Sequence, residues 1–559
     1  MSAALRVTCA LLSALLTASA QQTPPQAVTQ KFRISGTVLN AATDQPLADA
    51  LVEIGLAQKQ EAAQRVHTDD SGRFAFQGLA PTKYWLVGEH QGFQRQGFNE
   101  HSGFFTAIVV GPGLQSEDLV FRLRPDASIS GTVTDDQGDA IRDAQVHLFF
   151  DGHEEGEHRT SQRAQVTTDS EGHYRFSHLR PGRYFVAVSA QPWYAQNQQV
   201  QRFRSIPGDT DGNGGDITQL ESSAKPSPLD VAYPLTYYAG GVEVDDATPI
   251  VLKAGDRAKV DVALAAVPAL HMRIRTAGMS LSSDSGFGAN VSRSGPGGTS
   301  IPVQAPSMSV PGVVEITGLA PGDYELNLNS FGKESHNWTQ NVRLTEDAEI
   351  DGVRSRTPAS VTGVVMLDGV PVLARSYVSL RDPASGAGFG AQVNAKGEFE
   401  FQSQGVKAGT YQVAVFNMQG ATGQGAAVTA LVASGARVSG HSITIDDGAN
   451  VKLTILMSKG LEEVTGVAER DGKPLAGAMV VLIPDKIDGN ESSFRRDQSD
   501  SDGSFTLRGI VPGKYTVVAI EQGWELEWGK AEVLRPYLAN AERLEITAKG
   551  RYQVKVRVQ

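Results

Sequence analysis

Six aromatic residues and four acidic or amide residues are the side chains whose type and spacing fit ligand chemistry. Phe93, Trp193 and Trp524 each follow a tyrosine by nine residues, with Tyr194, Trp338 and Trp528 close by. Flat rings at one loop position in several copies suit the apolar faces of sugars, since Trp and Tyr combine apolar area with a polar tip. The alternative is that the rings close the ends of the folded units or pack one unit against the next. Asp209, Asp211 and Asn213 alternate in "DTDGNGGD", with Gly214 next and Asp216 closing the stretch. Hard oxygen ligands around a glycine turn make the first half of a calcium loop. The second half fails, because the twelfth position is Leu220 and Glu221 comes one residue late. The alternative is a solvated acidic loop. Calcium is thus the one ion the sequence offers, and no other cofactor is expected.

Other chemistries lack their residues. A zinc carboxypeptidase needs His-x-x-Glu plus a distant His, and none of the eleven histidines has Glu three positions later. His153 and His158 in "HEEGEH" are five apart, whereas a helical metal pair needs four, so this stretch is expected to be a loop between strands. No nucleophile elbow or phosphate loop occurs. Cys9, the single cysteine, lies in an apolar N-terminal run ending in Ala18-Ser19-Ala20, the pattern of an export signal cleaved before Gln21. The mature chain is then free of disulfides and of cysteine nucleophiles. With a net charge of −12 and no basic stripe, nucleic acid is not an expected partner, and no later apolar run is long enough to insert in a membrane.

The elements that must position these residues repeat five times. "ISGTV" at Ile34 and Ile129, "VTGVV" at Val361 and "VTGVA" at Val464 open four copies as short β-branched strands holding a glycine. A second alternating strand follows, then an Asx-x-x-Gly turn at Asp69, Asp169, Asn394 and Asp500. Next comes a strand and "L-x-P-G-x-Y", in which Pro and Gly fit a type II turn and Tyr84, Tyr184, Tyr324, Tyr411 or Tyr515 starts another strand. Gly312 is the equivalent turn glycine in the third copy. Each tyrosine is expected to turn its ring inward and bond its hydroxyl to nearby backbone. A polar hairpin closes each copy, as in "IVLKAGDRAKVDVAL" from Ile250, and helix content should be minor.

These motifs, above all "VTGVAERDGKPLAGAMVVLI…SDSDGSFTLRGIVPGKYTVVA", resemble the carboxypeptidase regulatory-like domain, a prealbumin-like or collagen-adhesin B-type repeat. The resemblance implies an all-β fold: a tandem array of about five antiparallel seven-stranded β-sandwich modules. It implies an exported bacterial protein and no enzyme, since this domain is an appendage beside a separate catalytic domain in metallocarboxypeptidases. The expected division is a signal at 1–20, a linker at 21–31, and modules at 32–125, 126–266 (with an insertion at about 191–239), 267–356 (divergent), 357–458 and 459–559. The expected setting is the periplasm, cell surface or exterior. The expected partner is carbohydrate or a cell-envelope protein; the alternatives are a spacer or adhesin-like stalk, and an accessory to a separately encoded hydrolase.

Overall fold

The structure, a computed structural model, describes residues 31–57, 59, 61–154, 156–196, 227–275, 286–310, 313–331, 337–351, 359–372, 376–383, 388–401, 406–417, 426–459, 461–487, 489–490, 493–547 and 550–559. The expected signal, Gly312 and the Asp209 loop lie outside these residues. What is described is nearly all β, in many predominantly antiparallel sheets. Among the described residues the one α-helix is the four-residue Ala531–Leu534.

Buried apolar side chains gather into separate cores, the larger ones spanning Ile34–Leu123, Ala127–Leu264, Met272–Ile350, Ala359–Ile455 and Val464–Val558. We call the stretches around them the first to fifth units. Alternation builds each core: in Ala127–Asp135 the residues Ile129 and Val133 are buried while their neighbours Ser130 and Thr134 are not. In each unit the opening strand pairs antiparallel with the strand before the tyrosine motif and parallel with the closing strand. A parallel pairing needs a crossover. The expected closing hairpin is therefore not one: Ile250–Leu252 joins the strand of Tyr184, whereas Arg257–Lys259 joins the opposite sheet. The same split holds for Ser442–Ile445 and Asn450–Lys459, and for Glu542–Ile546 and Tyr552–Arg557. The short linking turn spans the sandwich rather than doubling one sheet back.

The opening glycine is explained by this parallel neighbour. A Cβ at Gly131 would lie 1.8 Å from the Val260 carbonyl oxygen, and at Gly363 2.0 Å from that of Leu453. Only a residue without a side chain lets the closing strand pass.

All five tyrosines do as expected: each ring is buried and each hydroxyl donates to the carbonyl four residues back, at 2.6 Å for Tyr324 to Ala320 and 2.8 Å for Tyr184 to Arg180 and Tyr515 to Val511. The turn before them differs from expectation. Gly182 has φ 154°, far from the roughly +80° of a type II turn. The left-handed residue instead precedes the motif's leucine or isoleucine, at Gly78, His178, Gly318 and Gly509, where the pairing with the opening strand shifts register. That is a bulge with a left-handed first residue, and it bends the strand into the corner.

The units do not form an open string. The fifth touches the first through Lys83 Nζ and Asp500 Oδ2 at 2.6 Å, the second through Gly529 N and Gly156 O at 2.8 Å, and the fourth through His441 N and Gly489 O at 2.6 Å. Arg159 of the second donates to the Pro383 carbonyl of the fourth at 3.0 Å.

Candidate functional site

The strand Gly182–Ser189 ends just before Pro192, and the Ala195 amide bonds the Pro192 carbonyl at 3.0 Å, turning the chain outward. Trp193, on that turn, is 89% exposed. Tyr194 meets it edge to face at 5.8 Å between ring centres and 89° between planes. Behind them lies Tyr233, whose phenol burial and Tyr194 hold well above its usual range. One ring thus stands in solvent, beside a second that interacts with the buried Tyr233.

The equivalent position in the fifth unit has the opposite environment. Trp524 sits in the short 3-10 turn Gly523–Glu525 and is 6% exposed. The His101 ring of the first unit stacks on it at 5.0 Å and 8°, and Phe104 lies 6.3 Å away. Trp528, equally buried, leans on Phe494 at 5.7 Å. The Arg496 guanidinium lies 4.5 Å from the Phe104 ring centre, 5.0 Å from that of Trp528 and 5.5 Å from that of Trp524. These contacts occupy the tryptophan rings, and of the two alternatives the sequence left open, Trp524 and Trp528 follow the one in which the rings pack unit against unit. Phe93 is half-buried near the boundary of the first two units, edge-on to His90 at 5.2 Å. Trp338 lies on the strand Asn337–Leu344, opposite Leu328, and its side chain is outside what is described.

Around Trp524 the first and fifth units are sewn together. Ala107 N donates to Asp500 Oδ1 at 3.0 Å, Val109 N to Ser501 Oγ at 2.8 Å, and Gln498 Nε2 to the Asn99 carbonyl at 2.7 Å. Burial raises the Asp500 carboxyl above its ordinary range against the pull of Lys83. Asp497 beneath it is pushed up to about 6, again by burial, although it accepts bonds from the Thr506 and Gln498 amides. In units one and two the equivalent aspartate caps its own turn: Asp69 Oδ1 accepts from Ser71 N and Arg73 N, both at 2.9 Å. Asp169 does likewise with Glu171 N and His173 N.

His153 and His158 face each other across the paired strands Gln145–Glu154 and Glu157–Thr167, not in a plain loop. Among the described residues no three His, Cys, Asp or Glu side chains are placed to hold a metal. Asp209, Asp211, Asn213 and Asp216 lie outside them. Among the described residues no helix is long and apolar enough to cross a membrane, which leaves strands out of account.

Several junction partners gave no local signal in sequence: His101, Phe104 and Arg496 belong to no repeated motif. A repeated clasp was readable and unread. Thr68, Thr168 and Ser499, each just before the turn aspartate, accept from an amide (Ala50, Ala144, Ala478) and donate to a carbonyl (Leu47, Ile141, Leu475). Val393 breaks the series in the fourth unit.

Residues 33–124 and 128–206 match the carboxypeptidase regulatory-like domain family, and residues 463–536 match the second beta sandwich domain of BOS complex subunit NOMO1-like proteins. Both are β-sandwich or regulatory families, not catalytic ones. No curated protein matches the chain. Among solved structures, the Bacillus anthracis TIE protein is 12% identical, with 96% of this chain and 76% of that one covered, at a TM-score of 0.17. A Streptococcal ancillary pilin is 10% identical, over 52% of this chain and 99% of that one, with a TM-score of 0.18. The minor pilin GBS52 of Streptococcus agalactiae is 13% identical, over 42% and 96%, with a TM-score of 0.19. The chain is a multidomain β-sandwich protein whose residues 33–124 and 128–206 match the carboxypeptidase regulatory-like domain.

Proposed function

We propose that this is an exported, non-enzymatic scaffold of five sandwiches, divided at the boundaries given above, that binds carbohydrate through Trp193 and Tyr194. The observation that carries this is the 89% exposure of Trp193, a ring of more than 150 Å² by type, beside Tyr194. A flat apolar ring standing in water with a phenol beside it offers the stacking surface and polar tip that a flat apolar ligand face requires. Export rests on the N-terminal signal pattern, and the periplasm or cell exterior follows from it. Glycan arrays and insoluble-polysaccharide pull-downs, with calcium and with chelator, test the reading on the intact protein. Binding lost in Trp193→Ala and kept in Phe93→Ala supports it. Retention in Trp193→Ala, or no binding to any glycan, contradicts it. Chelator sensitivity would bring in Asp209, Asp211, Asn213 and Asp216.

The second reading, a spacer contacting another envelope protein, is favoured by the way the fifth unit locks against the first, second and fourth. Rigid mutual packing is what a spacer requires and a string of independent binding modules does not.

A further inference from the structure

Five buried side-chain atoms have no hydrogen-bond partner among the described groups, and four of them, Asp230 Oδ1, His271 Nδ1, Arg293 Nη1 and Thr317 Oγ1, lie in or beside the boundary of the second and third units. Arg293 is the most demanding. It is 5% exposed, and a guanidinium is always charged. A buried cation is costly unless a counter-charge holds it closely. The nearest carboxylate is Glu243, whose Oε1 lies 3.5 Å from Nη2 and which is itself mostly in solvent. That is beyond the 2.7–2.9 Å or so of a charge-assisted bond. The ring neighbours bring no charge: the guanidinium lies 5.8 Å from the Tyr324 ring centre, a cation–π contact, but burial pushes Tyr237 and Tyr324 up to about 12, so both are neutral phenols at ordinary pH. Tyr237 and Tyr324 moreover spend their hydroxyl protons on the Ser294 and Ala320 carbonyls.

Arg293 lines an enclosed cavity of ≈ 20 Å³ between the two units, together with Ser189, Tyr233, Gln304 and Tyr324. About 10–15 Å³ admits one water-sized species. Sulfate, phosphate and carboxylates are too large, and water brings no charge. We propose that this cavity is a halide site, in which one chloride-sized anion is held by Arg293 and seals the second unit to the third. The inference is independent of carbohydrate binding.

Bromide-soaked crystals, with anomalous scattering recorded at the bromine edge, test it on the wild-type protein. A peak within hydrogen-bond distance of Arg293 Nη1 is expected; bromide confined to exposed lysines and arginines, an adventitious ion only, would overturn the proposal. In solution, replacing gluconate by chloride at constant ionic strength should raise the melting temperature of the wild type by about 2 °C. Arg293→Met should show no such shift, and an equal shift in that variant counts against the site. Where Arg293→Met does not fold, Glu243→Gln gives the second reading: removing the competing carboxylate should enlarge the chloride response, and a response no larger than wild type contradicts the proposal.

Discussion

Trp193 and Trp524 occupy one position of the repeat, nine residues past Tyr184 and Tyr515, yet the first is 89% exposed and the second 6%. The repeat therefore decides where a ring leaves the sandwich, at the end of the strand after the tyrosine corner. What the ring then meets is decided by another unit, here the His101 and Phe104 loop, more than 400 residues away in sequence. The turn aspartates teach the same lesson. Asp69 and Asp169 cap their own amides, whereas Asp500 keeps the turn but points its carboxylate at Ala107 and Lys83, leaving Asp502 to cap Ser504.

The comparison is broken most severely at the rings. Trp524→Ala should lower stability in denaturant unfolding by about 3–5 kcal/mol, the cost of deleting a buried large aromatic. Trp193→Ala should change it by no more than about 0.5 kcal/mol, as for a surface residue. Comparable losses at the two sites would mean that their environments do not differ. Next come the aspartates. Asp500→Ala strands a buried amide and Lys83 and should cost about 2–3 kcal/mol; Asp69→Ala, in solvent, should cost about 1 kcal/mol or less. Tyr515→Phe removes one corner hydrogen bond and should cost about 1 kcal/mol by the same measurement.

A pH dependence sharpens the comparison at the same junction. Asp497 has its carboxyl raised to about 6 in the fold, so the folded protein holds this proton more tightly than the unfolded chain does. Its contribution is complete below the unfolded value near 4 and is lost as the pH rises through about 6. Asp497→Asn should therefore melt above the wild type at pH 8, where the buried carboxylate is charged, and the gap should close on going to pH 5. A gap independent of pH would show that Asp497 does not titrate there.

Much of the fold was legible because each unit's information is local. Alternation, the Asx turn and the tyrosine each act within about a dozen residues, and the structure keeps all three. The closing segment was misjudged because a hairpin and a sheet-to-sheet crossover share one pattern, two alternating strands around a polar turn. Only the opening glycine, at 36, 131, 363 and 466, with a carbonyl where its Cβ would be, marks the parallel neighbour. Less of the site was legible. The signal that found Trp193 also found Trp524, because an aromatic residue after a strand reads alike whether water or another unit faces it. Arg293 gave no signal at all, since its burial arises from the meeting of two units.

The most direct test of the account is small-angle X-ray scattering of the intact protein beside Trp524→Ala. If the fifth unit is locked on the first, the wild type scatters as a compact particle and the variant gains maximum dimension as the junction opens. A wild type that already scatters as an extended string, or a variant with an unchanged profile despite a folded core, would contradict it.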